Sequence, residues 1–126
     1  MKECLSTDKA PAAVGPYSQG VRVGNLLFIS GQIPLIPDTG KMVEGRIGEQ
    51  THQVLRNLAA VVEAAGGSLD DIVKTTIYMT DLADFGIVNE IYAAYFPENP
   101  PARSTVQVVV LPKGALIEIE AIAQLG

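Results

Sequence analysis

A chain of 126 residues with 48% apolar residues, 18% charged ones and a formal net charge of −5 suffices for one domain around one core, residues 1–126. Its acidic balance opposes a general attraction to nucleic acid or anionic membrane, and no run of Lys or Arg supplies a basic patch. The lone Cys4 excludes an internal disulfide, no stretch reaches the ~20 apolar residues of a membrane span, and MKECLSTDKAPAAVGPYSQG has no signal-like apolar run, so a soluble cytoplasmic protein is expected.

A short strand is expected over Glu3 to Ser6, then a loop in DKAPAAVGP, whose two prolines and glycine interrupt regular structure. SQGVRV and LLFISG flank Gly24-Asn25, which signals a two-residue hairpin with a type II′ turn. Gly31 to Gly45 reads as an irregular connection with a short extended piece at Ile33 to Leu35. From Ile47 the period changes. Ile47, Thr51, Val54, Leu55, Leu58, Val61, Val62 and Ala65 recur at helical spacing, which predicts an amphipathic helix over 47–65, stopped by Gly66-Gly67. Ser68 to Asp71 starts a short turn. Ile72 to Met79 alternates as a strand, with Val73, Thr75, Ile77 and Met79 on one face. Asp81 is placed to cap a second helix over 82–96, stopped by Pro97, with Phe85, Val88, Ile91, Tyr92 and Tyr95 as its stripe. The closing stretch PPARSTVQVVVLPKGALIEIEAIA reads as two strands around a Pro-Lys-Gly turn.

The order β-β-β-α-β-α-β-β is that of an α+β domain. Two helices cover one face of such a sheet. The other face is not strongly polar, so further copies of the chain are expected to cover it in a homo-oligomer.

One His and one Cys cannot supply the ligands of a nitrogen-and-sulfur metal site from one chain. His52 lies in the first turns of an amphipathic helix and reads as a solvated side chain. A Ser-His-Asp triad would need His52, and no GxSxG elbow accompanies it; no phosphate-binding glycine motif is present either. Cys4 reads as a small buried or edge residue of the first strand.

Arg103 follows Pro100-Pro101-Ala102 at a strand entrance, where it can grip a carboxylate with two parallel hydrogen bonds or form a structural salt bridge. Glu118 and Glu120 are two apart and face one way; Ile117, Ile119, Ala121 and Ala123 face the other. The face with the glutamates meets either water or a partner that supplies donors. A glycosidase pair is a weaker reading, because few aromatics and no Trp are available to line a sugar cleft. Tyr17, in a loop after Gly15-Pro16, either reaches a ligand or plugs the end of the sheet. Gly31, beside Ser30, either admits a ligand to its bare backbone or marks a bulge. Asn89 lies near the stripe of the second helix as a ligand contact or a locally bonded amide.

Through APAAVGPYSQG, LLFISGQIP, QTHQVLRNLAAVVEAAGGSLDDIVKTTIYMTDLADFGIVNEIYAAYF and PPARSTVQVVVLPKGALIEIEAIA, the chain resembles the RidA (YjgF) family of enamine/imine deaminases over nearly its whole length. The resemblance implies a chorismate-mutase-like fold and a homotrimer with ligand clefts between neighbouring subunits. It also implies a reaction. Pyridoxal-phosphate dehydratases release 2-aminoacrylate and 2-aminocrotonate, which tautomerise to 2-imino acids. The family hydrolyses these to 2-keto acids and ammonia without cofactor or metal, and so protects other pyridoxal-phosphate enzymes. Carried over by position, Arg103 clamps the substrate carboxylate and Glu118 positions or activates water. Gly31 contacts substrate through its backbone, Tyr17, Ser30 and Asn89 line the cleft, and Glu120 is structural. Thr105 stands where some members carry Cys, which removes thiol chemistry there. Val109-Val110 replaces a stretch that typically begins with a small or basic residue. Two other functions stay in view: a trimeric binder of 2-keto acids without turnover, which needs Arg103 but not Glu118, and an endoribonuclease, which the acidic charge opposes.

Overall fold

Apolar alternation and the hairpin signal produce the expected order of elements. The structure, a computed structural model, describes residues 1–126. Its strands are β1 (Glu3–Leu5), β2 (Gly20–Val23), β3 (Leu26–Gln32), β4 (Ile72–Met79), β5 (Ala102–Gln107) and β6 (Ile117–Gln124); its helices are α1 (Ile47–Ala64) and α2 (Phe85–Tyr95). One six-stranded sheet runs β1-β2-β3-β6-β4-β5. All neighbours are antiparallel except β4 and β5, which are parallel and joined through α2. Gly24 alone of the β2–β3 turn pair has a positive φ (61°), as a type II′ turn requires.

Leu27, Ile29, Ile77, Met79, Ile117, Ile119, Ala121 and Ala123 point from the sheet into a core closed by Val54, Leu55, Leu58, Val61 and Val62 of α1 and Val88 and Tyr92 of α2. No helix is long and apolar enough to cross a membrane.

Buried amides complete the frame. Asn57 of α1 donates to the carbonyls of Ile33 (3.2 Å) and Leu35 (3.0 Å) and accepts from Gln53. Gln50 accepts from the Leu116 N–H at 2.8 Å, just before β6. Gln19 donates to the carbonyls of Thr7, Ala10 and Pro11 and accepts from the Thr7 N–H. Irregular segments carry backbone groups that no ladder satisfies, and these side chains satisfy them.

Several expectations are corrected. Val73 is not on the core face: the register of β4 against β6 shifts between Ile72 and Lys74. The extra residue resets the alternation, so Ile72 is 4% exposed and Val73 45%. Asp81 caps a 3₁₀ turn, Leu82–Asp84, by accepting from Ala83 N–H, and the α-helix begins only at Phe85. β1 ends at Leu5 and α1 at Ala64. β4 ends at Met79, whose carbonyl takes the Val108 N–H. The VVV run therefore leaves the sheet, and Val109 and Val110 are 98% and 73% exposed. His52 is half-buried rather than solvated, because the Tyr95 hydroxyl of α2 reaches its Nδ1 at 2.9 Å.

The bulge sets a stability contrast. Ile77→Ala is expected to cost about 3 kcal/mol of unfolding free energy, and Val73→Ala no more than about 0.5 kcal/mol, both measured by urea unfolding. Equal costs would put Val73 back in the core.

Candidate functional site

The sheet face away from the helices carries the two glutamates. Tyr78 stands opposite Glu118 and Thr76 opposite Glu120 on neighbouring β4. Phe28 and Val106, on the flanking strands, leave 43% and 42% of their surface open on this face. In β3 the register slips: Ile29 pairs with Ala121 but Gln32 with Ile119. Ser30 and Gly31 thus stand opposite the single residue Glu120, a β-bulge that bends the strand. The Ser30 hydroxyl donates to the Ser18 carbonyl and its N–H to that of Gln19. Beside the bulge opens a cavity of about 630 Å³ whose walls include Tyr17, Ser30, Gly31, Lys113, Glu118 and Glu120. Tyr17 is exposed at its rim, and its phenol oxygen accepts from the Val14 N–H at 3.4 Å. Gln19 holds the preceding loop against the sheet, and Asn57 holds the Ile33–Leu35 wall.

The electrostatics here are those of two like charges on a half-apolar surface. Burial, and then the charge of Glu120, hold the Glu118 carboxyl above its ordinary 4.5. Burial also raises the Tyr78 phenol, with Glu120 and Glu118 adding to the effect. The phenol therefore stays protonated at neutral pH and can donate.

Arg103 lies elsewhere. It pairs with Thr75, which is fully buried, so its side chain leaves β5 on the helix side. Its guanidinium carbon sits 5.3 Å from the ring centre of Phe85 and 4.9 Å from that of Tyr92. Each such contact is worth on the order of 0.5–2 kcal/mol. Tyr92 is itself anchored by a 2.6 Å hydrogen bond to Thr75 Oγ1. Burial raises the Tyr92 phenol, against the smaller opposing effects of Thr75 and Arg103, and keeps it neutral. A second cavity, of about 400 Å³, is walled by Asn89, Tyr92, Phe96, Pro100, Pro101 and Arg103. Thr105 pairs with Ile77 and so also faces the helix side, two residues beyond Arg103, but borders neither cavity.

Apart from Thr105, the sequence-predicted residues therefore fall into two groups within a chain. Tyr17, Ser30, Gly31 and Glu118 meet at one cavity. Asn89 and Arg103 meet at another, on the opposite side of the sheet. The aromatic cradle of Arg103 was legible only as a helical stripe, since Phe85 and Tyr92 at i and i+7 read equally well as plain core. Lys113 at the cavity mouth takes φ 58°, followed by Gly114 at 73°. No spacing rule singles it out beyond the Pro-Lys-Gly turn.

Residues 7–125 match the sequence model of a family described as endoribonuclease L-PSP. Reactive Intermediate Deaminase A of Arabidopsis thaliana, a chloroplast protein, is 56% identical over 98% of this chain and 66% of its own length. The 2-iminobutanoate/2-iminopropanoate deaminase of Mus musculus is 48% identical over 100% of this chain and 93% of its own. A crystal structure of RidA from an Antarctic Psychrobacter superposes with a TM-score of 0.94 at 50% identity, covering 98% of this chain and 99% of the other.

A carboxyl raised in the folded state binds its proton more tightly there than in the unfolded chain. Ionising it therefore costs stability above its folded pKa, and the cost disappears below the unfolded value near 4.5. Glu118→Gln removes that cost. It is expected to be more stable than wild type at pH 7 in thermal melts and to lose the advantage as the pH falls to about 4. An advantage independent of pH would refute the electrostatic cause.

Proposed function

The chain belongs to the Rid (endoribonuclease L-PSP) family, and from that premise we propose that it hydrolyses small 2-imino acids to 2-keto acids and ammonia, at clefts shared between subunits of a homotrimer. The observation that carries this reading is the pair formed by an arginine mounted on aromatic rings and a carboxyl with raised proton affinity, each at its own open cavity. A second copy laid on the open sheet face would close one cavity with the other and cover Phe28 and Val106. The mouse relative's name supplies the substrates expected here, 2-iminobutanoate and 2-iminopropanoate.

The chemistry follows from the substrate. A 2-imino acid is small and anionic, with an electrophilic carbon once its nitrogen is protonated. Arg103 of one chain takes the carboxylate through two parallel hydrogen bonds, with the rings behind it limiting its rotamers. Glu118 of the neighbour holds a water and takes its proton as the oxygen attacks the imine carbon. The C=N electron pair moves to nitrogen, giving an amino alcohol. Glu118 then gives that proton to the nitrogen; as the C–N bond breaks and the carbonyl forms, Glu118 takes the hydroxyl proton and passes it to the departing ammonia, which leaves as ammonium. Gly31, Ser30, Tyr17 and Asn89 line the cleft, while Thr105, which borders neither cavity, stands two residues beyond the clamp on the same face of β5. Positioning carries most of the rate, and general-base help from Glu118 contributes about 10²–10⁴-fold. No cofactor or metal enters these steps. The cellular role is removal of imines shed by pyridoxal-phosphate dehydratases, in the cytoplasm.

The family's descriptive name carries a ribonuclease reading. Two carboxylates in one cavity and a net charge of −5 oppose a phosphate backbone there.

In a threonine dehydratase reaction with semicarbazide as the competing trap, added protein is expected to speed 2-keto acid release. Arg103→Ala should abolish the effect and Glu118→Gln should reduce it by about 10²–10⁴-fold. No acceleration with any of several 2-imino acids sinks the enzyme reading. Full activity in Glu118→Gln removes the carboxyl from the mechanism.

A further inference from the structure

Glycines earn their places in two ways, by backbone conformation or by empty space. Gly24 is of the first kind: φ is 61° and nothing lies within 4 Å of where a Cβ would be. Gly31 is of the second kind. Its φ lies outside the left-handed region, so its backbone suits any residue. Yet a methyl group built on it would lie 2.8 Å from Glu118 Cδ, 3.1 Å from its Cγ, and closer still to its Oε2. The bulge in β3 brings this about, by opposing Ser30 and Gly31 to the one residue Glu120. The Glu118 carboxyl thus rests where a side chain of Gly31 would be, at the wall of the same cavity.

We propose that Gly31 is a positioning residue for imine hydrolysis: its missing side chain is the seat of the Glu118 carboxyl, and that seat fixes where the attacking water is held. This rests on the deaminase reading and adds a role to the backbone contact expected of Gly31. The two roles separate cleanly. A backbone N–H contact survives a change to Ala, whereas the seat does not. Because the clash is with the flexible end of a side chain, Gly31→Ala is expected to fold and push the carboxyl outward rather than break the sheet. Within the chain the ionisable groups around that carboxyl are Glu120 on the same strand, Tyr78 on β4, Lys113 in the turn before β6 and Tyr17 in the rim loop, and in the proposed cleft Arg103 of the neighbouring chain joins them. All remain in the variant.

The test is a double-mutant cycle with a titration beside it. Gly31→Ala should lower kcat by about tenfold or more, with KM changed by less than about twofold. In a Glu118→Gln background the same change should cost less than about twofold, since the group it displaces no longer acts as base. Carbon-13 NMR of the Glu118 carboxyl should show its titration midpoint falling toward 4.5 in Gly31→Ala, as the displaced group regains water. Costs that multiply independently in the double variant, or an unmoved midpoint, would overturn the proposal. If Gly31→Ala does not fold, Glu118→Asp, one methylene shorter, should restore folding in the double variant; failure to do so also overturns it. A wild-type protein that hydrolyses no imine sinks the deaminase reading alone, because the titration reads the seat without turnover.

Discussion

In a β-strand successive side chains leave on opposite faces, and in this sheet the two faces have different fates. Both helices lie on one face and bury it. The other keeps large apolar side chains open among its charges. Arg103 emerges on the helix side at the edge strand β5, and Glu118 on the open side of the interior strand β6. No rotamer change brings these two groups through a packed sheet. The proposed cleft depends on this constraint, because two groups on opposite faces of one sheet can meet a single small substrate only when two chains supply them.

Each group is held by a different device. A guanidinium needs its stem fixed without spending its N–H groups, and stacking on Phe85 and Tyr92 does that. A carboxyl that is to exchange protons needs partial burial and a like charge nearby, and Glu118 has both. The buried amides matter in turn, because Gln19, Gln50 and Asn57 tie the cavity's loops and the approach to β6 to the core. Those loops have little backbone pairing of their own beyond the Leu35–Met42 bridge, so the rigidity of the cavity wall rests largely on these side chains.

Much of this was legible in the sequence, for physical reasons that can be named. Period-two alternation placed Glu118 and Glu120 on one face and Ile117 and Ile119 on the other, and the change to helical period marked α1. Gly24-Asn25 gave the hairpin, and Gly31 was open to the bulge reading that the register bears out. Val73 was misplaced because a bulge adds a residue without leaving a pattern in a run of apolar and β-branched side chains. The partner of His52 lies 43 positions away on another helix, and no local pattern encodes such a pairing. The same holds for the cradle of Arg103, since an aromatic stripe looks alike whether it packs on Leu or on a guanidinium.

Subunit complementation bears most directly on the claim that the clamp and the base come from different chains. Arg103→Ala and Glu118→Gln proteins, each inactive or nearly so alone, would be unfolded together in equal amounts, refolded as mixed oligomers and assayed for imine hydrolysis. A shared cleft then pairs an intact Arg103 from one variant with an intact Glu118 from the other in roughly a quarter of the clefts under random assembly, and activity should return to about that fraction of wild type. A mixture as inactive as its two parents would mean that both residues must come from one chain, and would contradict the account.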